Sequence, residues 1–190
     1  MQKPEIVNLW IIGYGNCHRR DDGAGRHVAE HLMPRYGAVE GVRILSLHQL
    51  GPELAEDLHA AGGIVFIDAA MRPQFRGRTW RRVRPVSDLA GVSHSLMAAA
   101  LLGLTQLLYG RCPPAWMVSI QGNDFGFGDG LTQATADHAI QAAGEVARVI
   151  DCCLGDQCDM GCGANKQTSI QEIRAGSLDR AITKLNTESS

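Results

Sequence analysis

The sequence predicts an α/β domain, a three-layer α/β/α sandwich around a twisted, mostly parallel, five-stranded sheet. Three observations carry this expectation. The apolar runs at residues 6–12 and 64–67 are continuous rather than alternating, as in parallel strands buried on both faces. Strand-like and helix-like stretches alternate along the chain. The first apolar run ends in a glycine turn, Gly13-Tyr14-Gly15-Asn16, beyond which a helix departs.

The elements follow in order. The first strand covers residues 6–12, and a helix at 23–35 places Val28 and Leu32 on one face. The second strand is 42–47. A short helix at 52–60 leads to the third strand, 64–67, which ends at Asp68. Residues 78–84, Arg-Thr-Trp-Arg-Arg-Val-Arg, look like an exposed strand, whose charges are ordinary protection against edge pairing. Ser93 is a good N-cap for the almost wholly apolar helix 96–109, which Gly110 and Pro113-Pro114 terminate. The fifth strand is 116–120, followed by a glycine-rich loop, 122–130. In the last long helix Ala136, Ile140, Ala143, Ala147, Ile150 and Leu154 recur at helical spacing and predict the face that packs on the sheet.

The 190 residues suit one domain, residues 1–155, with a Cys-containing extension at 156–190 that carries one possible amphipathic helix, 170–185. A net charge of -2 gives no argument for nucleic acid or an anionic membrane. No stretch is long and apolar enough for membrane insertion. The apolar residues 6–12 are followed by Gly-Tyr-Gly-Asn-Cys-His-Arg-Arg rather than a small-residue cleavage site, so they read as a strand, and a cytoplasmic monomer is expected. Cys152, Cys153, Cys158 and Cys162 cluster near the end. They contain no CxxC pair and no histidine follows them, which argues against a zinc site; a helix end with an oxidisable tail is the plainer account.

The chemistry concentrates at the glycine turn. A strand–Gly-x-Gly–helix unit commonly binds a dinucleotide, but His18 holds the place of the third glycine. Asp21 and Asp22 stand at the helix start, where a pyrophosphate would lie. A site offering carboxylates there suits a cation. In an open α/β sheet, ligands bind outside the carboxyl ends of the strands. Asp21 and Asp22 follow the first strand, Asp68 ends the third, and His94 opens the helix before the fifth. Such a mixed oxygen–nitrogen set suits a divalent first-row ion. Each residue has a plainer reading. Asp22 can cap a helix, Asp68 can close an Asx turn, and His94 can be a surface residue. Their convergence at one edge favours the functional one.

The segment Gly13-Tyr14-Gly15-Asn16-x4-Asp21-Asp22-Gly23-x-Gly25 resembles the opening motif of the [NiFe]-hydrogenase maturation endopeptidases. Asp68-Ala69, Ser93-His94-Ser95-Leu96, and Ser119-Ile120-Gln121-Gly122 with Gly128-Asp129-Gly130-Leu131-Thr132 are similar to its later signatures, in the same order over residues 5–150. The resemblance implies an aspartic-type endopeptidase that removes a C-terminal peptide from the hydrogenase large-subunit precursor once nickel is inserted. It implies that Asp22, Asp68 and His94 contact the metal and serve catalysis, that Asp21 supports the turn, and that Asn16 shapes the loop. The nickel arrives with the substrate, and no resident cofactor is expected. A non-cleaving chaperone that checks the metal of the large subunit is the alternative. Two segments depart from the family: Cys17-His18-Arg19-Arg20, and Met71 to Gly77 where a glycine–proline–glycine-like turn is expected. Both flank the cleft, and they are expected to alter which large subunit is recognised.

Overall fold

The computed structural model describes residues 8–71, 77–86, 97–155, 178–183 and 185. Five strands form one sheet in the order β2-β1-β3-β5-β4: β1 (Leu9–Tyr14), β2 (Val42–Leu47), β3 (Gly63–Ala70), β4 (Arg78–Val83) and β5 (Ala115–Gln121). The pairs β1–β2, β1–β3 and β3–β5 are parallel, while β4 runs antiparallel on the edge beside β5. The chain runs from β1 outward to β2 and then returns to place β3 on the other side of β1. That reversal opens a crevice at the carboxyl ends of β1 and β3, the usual ligand position in such sheets.

Alternate residues of each strand feed two cores. On one face Leu9, Ile11, Val65, Ile67, Val118 and Ile120 pack against α1 (Ala24–Tyr36) and α4 (Gln133–Leu154). On the other Trp10, Ile12, Ile64, Phe66, Ala115 and Met117 meet α2 (Leu54–Leu58) and α3 (Met97–Tyr109). These layers realise the α/β/α architecture that the alternation of elements predicts. No helix among the described residues is long and apolar enough to cross a membrane.

The face of α4 differs from the expected one. The helix buries Ala139, Ala142, Ala143, Val146, Val149 and Ile150, whereas Ile140 is 55% exposed. Alanines line more than one side of this helix, so apolar spacing alone leaves its rotation degenerate. Two polar contacts settle it. Glu145, buried, accepts hydrogen bonds from Arg78 and from Trp80 Nε1 (2.8 Å) on β4. At the other end the N-cap Thr132 and Thr135 are tied to a buried carboxylate described below.

The described end of the chain belongs to the first core. Residues 178–183 and 185 are helical, and Leu178, Ala181, Ile182 and Leu185 are buried in the same core cluster as Leu9, Ile11, Val65 and Val118. Asp179 accepts from Trp116 Nε1 at 2.9 Å and pairs with Arg82. Cys158, Cys162 and the first part of the expected helix at 170–185 lie outside the described residues. Because Ile182 is fully buried, Ile182→Ala should cost about 2–5 kcal/mol in urea unfolding, the range for deleting a core side chain. A cost below about 0.5 kcal/mol, typical of surface positions, would separate this helix from the core.

Candidate active site at the carboxyl edge of the sheet

Tight backbone approach builds the turn after β1. Gly15 has φ +141°, and a Cβ there would stand 1.9 Å from the Asp22 carbonyl oxygen. At Gly25, in the first turn of α1, a Cβ would meet the Ile67 carbonyl oxygen at 2.2 Å. Glycine at these places lets the start of α1 press onto the ends of β1 and β3. Between β1 and α1 the chain makes a 3-10 turn, Arg20–Gly23, which carries both acidic residues. Asn16 shapes its entry. Its Oδ1 accepts from the His18 N–H at 2.9 Å, and its own N–H donates to Asp22 Oδ2 at 2.9 Å.

The two neighbouring aspartates have opposite environments. Asp21 is 0% exposed. Its Oδ1 accepts from the Thr132 N–H at 2.6 Å. Its Oδ2 is met by the Asn123 N–H (2.8 Å), the Asp124 N–H (2.9 Å), and the hydroxyls of Thr132 and Thr135 (2.9 Å each). Burial alone would raise its pKa; the N–H groups of Thr132, Asn123 and Asp124 and the Thr132 hydroxyl outweigh it, and the carboxyl is held below its ordinary range. The carboxylate also sits at the N-cap of α4, where the helix dipole favours negative charge. All its acceptor capacity is turned inward. Asp22, partly exposed, keeps an oxygen beyond the single bond from Asn16.

Asp68 lies one position past the last β1–β3 pair, Gly13 and Ile67, so it stands beside Tyr14 on the same face of the sheet. On its other side it is in register with Ser119 of β5. Burial, with the negative charge of Asp22 adding to it, raises the Asp68 carboxyl to about 7 against the weaker opposing effects of Tyr14, the Ala69 N–H and Arg81. Asp22, in the turn after β1, thus acts electrostatically on Asp68 at the end of β3. The buried Tyr14 hydroxyl makes no hydrogen bond of normal geometry, yet interacts with Asp68; burial first, then Asp68, holds the phenol far above its ordinary pKa.

His94 lies outside the described residues. Among the described residues no group of three or more His, Cys, Asp or Glu side chains is gathered for a metal ion. Asp22 and Asp68 supply two candidate ligands. None of the described cysteines, Cys17, Cys112, Cys152 and Cys153, is joined in a disulfide. An apolar pocket of about 250 Å3 opens between Leu50, Pro52 and the first turns of α3. Sequence reasoning did not single out Tyr14. Its signal was a tyrosine ending an apolar strand, but only the lateral pairing of β1 with β3 sets it beside Asp68.

These environments give separable expectations. Asp21→Ala strips the acceptor from five donors and should destabilise the fold by about 3 kcal/mol or more, since each buried donor left unpaired costs about 1–3 kcal/mol. The same change at Asp22, which loses one partly exposed bond, should cost about 1 kcal/mol or less in the same denaturant titration. For Asp68 the folded carboxyl keeps its proton to about pH 7, whereas the unfolded one releases it near the ordinary value of 3.8. Its neutral form therefore supports the fold fully below about pH 4, and that support is lost as pH rises through about 7. Asp68→Asn, which never ionises, should gain stability over the parent between these limits and level off above. The gain should grow by about 1.4 kcal/mol for each pH unit between them, and stability measured against pH shows it.

Sequence comparison finds no matching family model and no matching curated relative. Comparison of folds finds several. The hydrogenase maturating endopeptidase HybD from E. coli superposes with a TM-score of 0.62 at 23% identity, covering 75% of this chain and 91% of its own. The [NiFe] hydrogenase maturation protease HycI from Thermococcus kodakarensis gives 0.60 at 23%, covering 74% and 90%. HybD from the same archaeon gives 0.60 at 22%, covering 75% and 97%. With the glycine turn, the acidic 3-10 turn and the switch point between β1 and β3 in place, the chain has the fold of the solved hydrogenase maturation endopeptidases.

Proposed function

We propose that the protein is an endopeptidase that removes the C-terminal peptide of a [NiFe]-hydrogenase large-subunit precursor after nickel insertion. One observation carries the reading most: the charge of Asp22 acts on Asp68, from a different element, at the switch point of a fold shared with solved hydrogenase maturation proteases. Two carboxylates held together against burial and mutual repulsion are costly unless a cation or a proton is shared between them. In this reading the cation is nickel, delivered by the substrate's own ligands. His94 is the third group on the strength of the sequence resemblance.

Asp22 and Asp68 bind to the substrate's ion and so select precursor that has received its metal. They also lie where an attacking water must be oriented. A carboxyl near 7 exchanges its proton readily at neutral pH, so Asp68 suits the transfer from water to the departing amine. Asp21 holds the turn that presents Asp22, and Tyr14 flanks Asp68. We place the reaction in the cytoplasm.

The test is the intact mass of a nickel-loaded precursor from the same source after incubation with the protein. Loss of one discrete C-terminal peptide is expected, with none lost from metal-free precursor. Asp22→Ala should slow processing by about 10²-fold or more, the scale of losing a positioned acid–base group. A stable nickel-dependent complex with unchanged mass would instead identify a metal-checking chaperone.

A further inference from the structure

A built lip rises beside the acidic edge. Residues 18–21 are zipped to the loop after β5: the Arg20 N–H donates to the Gly128 carbonyl (3.1 Å), the Gly128 N–H to the His18 carbonyl (3.0 Å), and the Asp21 N–H to the Asp124 carbonyl (3.0 Å). Side chains reinforce it. Arg19 Nε donates to the Phe125 carbonyl at 3.2 Å, Arg20 pairs with Asp124, and His18 Nδ1 meets Asp129 at 3.2 Å. From inside, Asp21 clamps the same loop through the N–H groups of Asn123, Asp124 and Thr132. Such bonding leaves the loop little freedom to refold locally.

This fixed loop carries two phenylalanines with opposite fates. Phe125 turns inward and packs against the first core. Phe127, two residues on, is 88% exposed, the highest exposure among the described large apolar side chains. The inward place is already filled by Phe125, whose ring stands 2.5 Å from where a Cβ at Gly122 would be. At the same carboxyl edge Met71 is 67% exposed and follows β3, the strand that carries Asp68. An exposed aromatic held by a rigid support and ringed by charged residues has the anatomy of an interface anchor with its polar rim.

We propose that this lip is the docking surface for the precursor polypeptide beside the cleaved bond, with Phe127 as its apolar anchor. The proposal rests on the protease reading. Continuity selects that occupant: the lip is one peptide unit from Asp22, whose N–H donates to the Arg19 carbonyl (3.1 Å). A chain whose scissile bond lies at Asp22 and Asp68 therefore has this lip as the neighbour of that bond on the side of the turn. The partner segment presents an apolar side chain to Phe127 and acceptor groups to the exposed Arg19 and His18.

The test compares kcat/KM for nickel-loaded precursor in the full chain and in Phe127→Ala, Phe127→Asp and Phe127→Leu. Ala and Asp should lower it by about tenfold or more through KM, the scale of an interface anchor, while Leu retains most of it. Thermal midpoints should not move, because the ring supports no part of the fold. Wild-type processing with kcat/KM unchanged in Ala and Asp overturns the proposal. So does a change confined to self-association measured by sedimentation. Failure of the wild type to process any precursor overturns the protease reading, and the docking proposal with it.

Discussion

The buried Asp21 carboxylate is the interaction on which the site depends. It joins the 3-10 turn after β1 to a loop and helix start more than a hundred residues later, through three backbone N–H groups and two hydroxyls. An ionised group removed from water would be prohibitive without such compensation, so the charge enforces the arrangement around it. Three structural features follow from it. The loop after β5 is pinned, α4 receives its N-cap and rotation, and Asp22 is left facing the edge with unused acceptor capacity. A neutral residue would meet the same shape without making the alternative loop positions costly.

Asp68 has the opposite electrostatics to Asp21. Asp21 is surrounded by donors and held in its charged form; Asp68 is flanked by a hydroxyl without good geometry and by another acid, and its proton is retained to about 7. Asp21 is thereby fitted to hold the scaffold, and Asp68 to exchange a proton near neutral pH. A positive charge placed between Asp22 and Asp68 would offset both the burial and the repulsion.

The helix formed by residues 178–183 and 185 is bound into this frame rather than appended to it. Its apolar residues complete the first core, and Asp179 ties it to β4 and β5 through Arg82 and Trp116. Two of the three arginines of β4 have partners on helices, Arg78 with Glu145 of α4 and Arg82 with Asp179 of the terminal helix. What reads in sequence as a charged edge strand is also an anchoring strand, and the charge pattern alone does not distinguish the two.

The sequence by itself determined the α/β class, the parallel core strands and the glycine turn with its acidic start, because these depend on local matters: runs of apolar residues, spacing, and which residues tolerate a tight turn. It also placed Asp22 and Asp68 at strand ends, and so at one edge of the sheet. Only the tertiary structure decided the strand order, the pairing that sets Tyr14 beside Asp68, the inward fate of Asp21 against the outward one of Asp22, and the rotation of α4 that exposes Ile140. The physical reason is range. Asp21 and Asp22 are chemically identical neighbours, and what distinguishes them is a set of donors from the other end of the chain. Alanine-rich spacing in α4 fits more than one face until Glu145 finds Arg78 and Trp80. Local patterns select elements, whereas contacts between distant segments select which side chain faces the chemistry.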